Sequence, residues 1–313
     1  MNHDKSSLFF GKGCPDLIKQ SIKQILEVPN ESLNDKYLGF PSDVGRSKNG
    51  AFGYLKDRIW KRLQGWMEKA LSGGGKEILI KSVVQALPTY SMAVFKLPRG
   101  LCEHITSMVR KFWWGSKNGE RKIAWVTWDS MTMPKYKGGL GFRDIEVFNL
   151  ALLARQVWRI LNEPNSLSAR ILKSVYFSSS DILSADLGPH PSQIWRSLCE
   201  GRDMLKLGII RQIGDGGDTN IWTENWIPRD FGLRPVCQIS NTAPERVSAL
   251  ICSSTRTWDT EKLEAYFLPM DIEAIKQIPL SFMQQRDFCA WHYDRLGVFS
   301  VSIQNDHGDQ EEA

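Results

Sequence analysis

An apolar stripe constrains this chain more than any other feature: Phe52, Leu55, Ile59, Leu63, Trp66 and Ala70 recur at steps of three or four. That spacing places all six on one face of a helix running from about Ala51 to Ala70. A helix with so wide an apolar face is stable only when packed against other elements. Arg58, Arg62 and Lys69 stack on an adjoining face at i, i+4 and i+11.

The helical period continues downstream. Ser72 can cap a second helix, in which Ile78, Leu79, Val83 and Leu87 recur at helical spacing until Pro88 interrupts it. Pro88 suits the first turn of a short third helix, "PTYSMAVF". Pro98 opens a fourth, with Leu101, Ile105, Met108 and Phe112 on one face. Past the turn at Gly138, Gly139 and Gly141, Asp144 can cap a helix whose face is Ile145, Phe148, Leu152, Val157, Ile160 and Leu161, with Pro164 after its end. Leu167 to Tyr176 and "PSQIWRSLCEGRDMLKLG" read as two more. Nearer the N-terminus, Phe9-Phe10 suggests a short strand and Leu17 to Leu26 a short helix, before a turn-rich segment punctuated by Gly39, Pro41, Gly45 and Gly50.

The period changes at "IIRQIGDGGDTNIWTENWIP". Two alternating runs flank Gly214–Gly217, which predicts a small β-hairpin at about 209–223. "GDGGD" has neither the ligand spacing nor the terminal Glu of an EF-hand. Beyond Pro228 the chain is acidic and weakly patterned, and "NDHGDQEEA" has the composition of a disordered tail.

The loop "LSGGGKEILIKS" tests a nucleotide-binding reading. A P-loop is G-x-x-x-x-G-K-[ST]; with Gly75-Lys76 as its GK pair, the first glycine falls at Ala70 and the hydroxyl position holds Glu77. The loop therefore reads as a helix start whose free N–H groups, with Lys76 and Lys81, can meet a polymer's phosphates.

Net charge is +5, but it is unevenly spread. From Arg46 to Lys137 there are 18 Lys/Arg and 6 Asp/Glu; from Asp215 to the end there are 8 and 16. A basic block points to a polyanionic partner. Within it, "VRKFWWGSKNGERKIAWVTWDSM" alternates Arg110, Lys111, Lys117, Arg121 and Lys122 with Trp113, Trp114, Trp125 and Trp128. Cations grip phosphates and indoles stack on bases, a combination found on single-strand-binding surfaces; tryptophans at helix ends equally anchor cores. The six cysteines form no C-x-x-C and no zinc-finger spacing, so no metal and no cofactor is expected. With no signal-peptide pattern and no apolar run near roughly 18–20 residues, the expectation is a soluble, intracellular protein without membrane association.

A resemblance covers roughly residues 1–230. The stretches "NHDKSSLFF", "KYLGFPSDVGRSK", "LQGWMEKALSGGGKEILIKSVVQALPTYSMAVFKLP", "RKFWWG", "RKIAWVTWDSMTMPKYKGGLGFRDIEVFNLALLARQVWRIL", "PSQIWRSL" and "IGDGGDTNIWTENWIP" occur in that order. Together they resemble the part of plant LINE-type (non-LTR) retrotransposon reverse transcriptases just downstream of the polymerase palm. They are also similar to plant mitochondrial open reading frames related to such elements. "DFCAWHYDRLGVFSVS" resembles the entry to the reverse-transcriptase zinc-binding domain. No two aspartates are adjacent anywhere in the chain, whereas that family's polymerase holds two metals on such a pair. The resemblance therefore implies a non-catalytic internal piece, lacking fingers, palm, endonuclease and RNase H parts, and the zinc-domain ligands.

The fold expected is mainly α. Residues 1–45 would be a palm edge and linker, 46–135 a basic helical thumb-like bundle, and 136–230 a helical connection carrying the β-hairpin. Residues 231–313 would be a truncated zinc-binding-like start and a poorly ordered acidic tail. The resemblance implies sequence-neutral binding of RNA or RNA–DNA hybrid. The expected phosphate contacts are Arg58, Lys61, Arg62, Lys69, Lys76, Lys81, Arg110, Lys111, Arg121 and Lys122, with Trp113 and Trp114 for stacking. A separately encoded palm domain is a conceivable partner, and nucleus and mitochondrion both suit the resemblance. Two other readings are a transposon-derived relic with no selected function and a helical adaptor that binds another protein through its apolar stripes.

Overall fold

The computed structural model describes residues 8–301 apart from residues 12, 29–35, 38–39, 42–47, 68, 70, 116–122, 231, 241, 253, 282 and 284. The tail "NDHGDQEEA" therefore lies outside the described residues. In chain order the elements are α1 (Asp16–Leu26), β1 (Lys36–Tyr37), β2 (Phe40–Pro41), α2 (Lys48–Met67), α3 (Gly73–Leu79), a π-turn (Ile80–Val84), α4 (Thr89–Met92), α5 (Arg99–Trp114), α6 (Trp128–Thr132), α7 (Ile145–Asn162), α8 (Leu167–Tyr176), α9 (Gln193–Lys206), β3 (Ile209–Gln212), α10 (Thr260–Tyr266), α11 (Pro269–Lys276) and β4 (Phe288–Trp291). The chain is mainly helical, with two small antiparallel sheets, β1–β2 and β3–β4, among the described residues. It divides into unit 1 (Met1–Asn149 with Ser192–Ser197) and unit 2 (Leu150–Pro191 with Leu198–Ala313).

In unit 1 four residues of the predicted stripe form the core of α2, Phe52, Leu55, Ile59 and Leu63, all at most 2% exposed; Trp66 is half-buried and Ala70 lies outside the described residues. Each such burial contributes roughly 1.5–3 kcal/mol. The stripe faces α5, which buries Leu101, Ile105, Met108, Val109 and Phe112. Phe52 meets Phe95 just before α5 begins, with ring centroids 5.6 Å apart, and Trp66 meets Phe112 near the end of α5 at 6.0 Å. The two helices thus run side by side in the same sense.

The caps fall where the sequence places them. Ser72 Oγ accepts the Gly75 N–H at 3.2 Å, and Asp144 Oδ1 accepts the N–H groups of Glu146 and Val147 at 2.8 and 2.9 Å. Pro98 occupies the N-cap of α5. The second predicted helix differs in its second half. After Leu79 the backbone widens, and Gln85 N–H donates to Ile80 O, five residues back. That register turns Ile80 and Val84 inward and lets the buried Gln85 donate from Nε2 to Arg143 O at 3.2 Å. Asn149, fully buried, ties the loop before α5 together: its Oδ1 accepts Leu97 N–H and its Nδ2 donates to the carbonyls of Met92 and Phe95. Phe9 and Phe10 lie outside any strand.

Unit 2 corrects the expectation for residues 209–223. β3 forms as predicted, but 219–223 is not its partner; β3 pairs with β4 in the register Ile209↔Trp291 to Gln212↔Phe288. After the glycine loop the chain does return beside β3, where Arg211 N–H donates to Asn225 O at 2.7 Å, but the strand ladder of β3 is with β4, and the loop's N–H groups converge on the Asp287 carboxylate. Oδ1 accepts from Gly214 and Gly216 at 2.7 and 2.9 Å; Oδ2 accepts from Asp218 N–H at 3.2 Å and the Thr219 hydroxyl at 2.7 Å. Asn220 forms an isolated bridge with Arg246 rather than a strand.

The acidic region after Pro228 is also more ordered than its pattern suggests. Its apolar residues reach the core one or two at a time from short elements, so no single period shows. Val247, Leu250, Leu263, Phe267 and Ile275 form one buried cluster with Ile213, Ile221 and Trp226. The indole N–H groups of Trp222, Trp226 and Trp258 each find a carbonyl, of Pro244, Ile221 and Ile278. Asp271, fully buried, pairs with Arg229 and accepts the Val236 N–H at 3.1 Å, which fastens the 229–236 loop to α11. In α9, a Cβ at Gly201 would lie 2.6 Å from backbone atoms of Leu153 and Ala154, so α7 and α9 cross there with their backbones in contact.

Candidate nucleic-acid interface

The stripe that packs α2 onto α5 leaves other described residues of α2 to solvent, and that surface is cationic: Lys56, Arg58, Lys61 and Arg62 are exposed there against the single acid Asp57. Arg58, Lys61 and Arg62 are exposed on it, and Lys69 is exposed just beyond its end. On α5, Arg110 and Lys111 are exposed beside the buried Phe112. None of these six makes an ion pair with a described residue. Arg62, Lys69, Arg110 and Lys111 each lie within about one helical turn of the Trp66–Phe112 contact. Cations from both helices therefore gather at one end of the pair.

That end holds the C-termini of two helices running in the same sense, and their partial negative charges attract cations. Lys76 meets this need directly. Its Nζ donates to the carbonyls of Trp113 and Gly115 at 3.0 and 3.2 Å and lies 5.7 Å from the Phe112 ring, so it caps α5. Lys81 is likewise engaged inside the unit, with Glu77 Oε1 at 2.9 Å, with Leu140 O and against the Phe142 ring. Lys135 holds the same Glu77 oxygen at 2.8 Å. Hydrogen bonds from Lys135 and then Lys81 hold the Glu77 carboxyl below its usual range. Six of the ten cations singled out by sequence thus form an exposed group, while Lys76 and Lys81 hold α3 and the π-turn in place. Arg121 and Lys122 lie outside the described residues.

The two tryptophans are partly covered. Trp113 sits edge-on to Phe142 at 5.4 Å, and Phe142 stacks on Trp128 at 5.8 Å and 17°. The Trp114 indole nitrogen is buried with no hydrogen-bond partner among the described residues. More open aromatic faces lie nearby in sequence: Trp125 is 80% exposed and Tyr136 76%, and Lys137 Nζ is 5.9 Å from the Tyr136 ring. The signal that could have favoured Trp125 is its place outside any apolar period. Among the described residues, no three His, Cys, Asp or Glu side chains come together as a metal site, and no helix is long and apolar enough to cross a membrane.

Comparison with known proteins gives two relatives. No protein-family profile matches the chain. Over 152 residues it is 44% identical to an uncharacterized mitochondrial protein of Arabidopsis thaliana, a match covering 48% of this chain and 99% of that protein. Over 265 residues it is 30% identical to a protein of the same plant provisionally named a ribonuclease H protein, covering 82% of this chain and 42% of that one. The chain thus spans less than half of the second relative's length.

Proposed function

The chain belongs to the family of the Arabidopsis thaliana mitochondrial protein, and from that premise we propose that it is a non-catalytic, sequence-neutral nucleic-acid-binding module of retrotransposon reverse-transcriptase descent. Its ligand is RNA or an RNA–DNA hybrid, held by the phosphate backbone. One observation carries this reading: the exposed cations Arg58, Lys61, Arg62, Lys69, Arg110 and Lys111 gather on α2 and α5 without ion-pair partners among the described residues. The helix termini there call for fewer cations than are present, since Lys76 already caps α5. Unspent positive charge on a rigid helical pair suits a polyanion. The reading as non-catalytic rests on the absence of adjacent aspartates in the sequence.

The test is binding of the full chain to labelled RNA, RNA–DNA hybrid and duplex DNA across a salt series. Reversing Arg58, Arg62 and Lys69 to Glu should weaken binding and reduce the slope of log affinity against log salt by about 2–3. Lys76→Glu should instead lower thermal stability. An unchanged salt slope in the triple variant would overturn the reading. The adaptor reading draws on α8, where Leu167, Ile171 and Val175 are 71%, 53% and 64% exposed at i, i+4 and i+8. A stoichiometric protein partner lost on Ile171→Asp, with no salt-dependent RNA binding, would favour it.

A further inference from the structure

Beside β3, unit 2 holds a cleft of about 580 Å³, within the size range of small-molecule sites. Arg211, on β3, lines it, and its guanidinium is held in one orientation. Nε donates to Glu224 Oε1 at 2.9 Å, while Glu224 Oε2 accepts the Asn220 N–H at 2.7 Å. Both carboxylate oxygens are thereby used. The terminal nitrogens of Arg211 have no hydrogen-bond partner among the described residues, although its side chain is only 26% exposed. A fixed guanidinium with free terminal N–H groups is prepared for an oxyanion.

Two further cations line the same cleft and are loosely engaged. Lys206 Nζ is 3.9 Å from Asp203, and Arg234 Nη1 is 3.5 Å from Thr223 O. Both carboxylates of the cleft act on Arg211, Glu224 through its hydrogen bond and Asp181 through space from the exposed rim beside Ser184. Burial pushes the Cys289 thiol up, so it adds no charge. Leu183 and Ile209 supply an apolar wall.

We propose that this cleft binds a nucleoside monophosphate: the phosphate on Arg211, Lys206 and Arg234, the ring against Leu183 and Ile209, and the sugar hydroxyls toward Asp181 and Ser184. A phosphate dianion suits three cations where a carboxylate would need one guanidinium fork. Free nucleotides and the 5′ end of an RNA strand carry the same chemistry. The site lies wholly in unit 2 and is independent of the α2–α5 surface.

Calorimetric titration of the full chain with AMP, adenosine and inorganic phosphate tests it, with 5′-phosphorylated and 5′-hydroxyl dinucleotides as a second arm. AMP should bind saturably at one site, and adenosine about tenfold more weakly or worse. Lys206→Gln with Arg234→Gln changes two exposed side chains and should weaken AMP about tenfold without moving the thermal transition. Arg211→Lys keeps the charge, loses the fork and should also weaken AMP. A preference for the phosphorylated dinucleotide as large as that for AMP over adenosine would identify the RNA end as the source; binding of AMP alone would identify the free nucleotide. Equal binding of AMP and adenosine, no saturable heat with AMP, or AMP affinity unchanged in the double variant would overturn the proposal.

Discussion

Gly73–Gly75, which open α3 in unit 1, and Gly214–Gly217 in unit 2 are both short glycine-rich runs beside charged residues, and their surroundings differ at almost every position. A Cβ at Gly73 or Gly74 would meet nothing within 4 Å. A Cβ at Gly214 would fall on the Gln285 carbonyl oxygen, and one at Gly216, where φ is +74°, would sit 2.6 Å from Ser248 N. The first run opens a seven-residue helix and is capped by its own neighbour, Ser72. The second is wrapped round a carboxylate some seventy residues away. A run of glycines is thus no sign of an anion site. In one run the glycines are replaceable; in the other they let the backbone approach an anion that the chain itself supplies.

Substitutions can break or sharpen this contrast. Asp287→Ala should have the largest effect, because it leaves three N–H groups and the Thr219 hydroxyl without their acceptor; denaturant unfolding should show a loss of about 3 kcal/mol or more. A loss below about 1 kcal/mol would mean water replaces the carboxylate freely. Gly216→Ala should cost about 2–3 kcal/mol through its positive φ and its close approach to Ser248.

Acid should test the Asp287 carboxylate directly. Burial alone would raise the Asp287 carboxyl, but the Thr219 hydroxyl and the N–H groups of Gly214, Gly216 and Asp218 hold it below the ordinary aspartate range. Its contribution is therefore fully present above about pH 4 and lost as pH falls through the depressed value. Stability measured from pH 6 to pH 2 should drop more steeply in the wild type than in Asp287→Asn; parallel curves would remove the carboxylate from the account. In unit 1, Ser72→Ala should cost only about 1 kcal/mol. Gly74→Ala should change stability least and in the opposite direction, a gain of about 0.5–1 kcal/mol.

Local signals in the sequence carried far. Ser72, Asp144 and Pro98 mark helix starts by chemistry acting within three residues, and four residues of the α2 stripe are buried as its spacing requires. Distant partners were not legible. Lys76 and Lys81 read as free cations because their carbonyl acceptors, Trp113 O, Gly115 O and Leu140 O, lie 37, 39 and 59 residues on, although the Glu77–Lys81 pair at i, i+4 is a signal local enough to read. The alternating run at β3 was matched to its nearest neighbour in sequence, whereas its partner strand begins at Phe288. Arg58, Lys61, Arg62 and Lys69 are exposed as a face opposed to an apolar stripe should be. Trp113 and Trp114 read as stacking faces; Trp113 instead meets Phe142, a residue 29 positions on whose approach no local period reveals.

The pairing of β3 with β4 sets an order of events during synthesis. α2 and α5 can meet once Trp114 has emerged, but β3 must wait for Phe288–Trp291, and the glycine loop for Asp287. At about 5–20 residues per second, the roughly 75 residues between the strands take about 4–15 s to make. Throughout that interval β3 is an unpaired edge and the loop's N–H groups lack their acceptor. During synthesis the second unit therefore carries an exposed strand edge for longer than β3 itself takes to make.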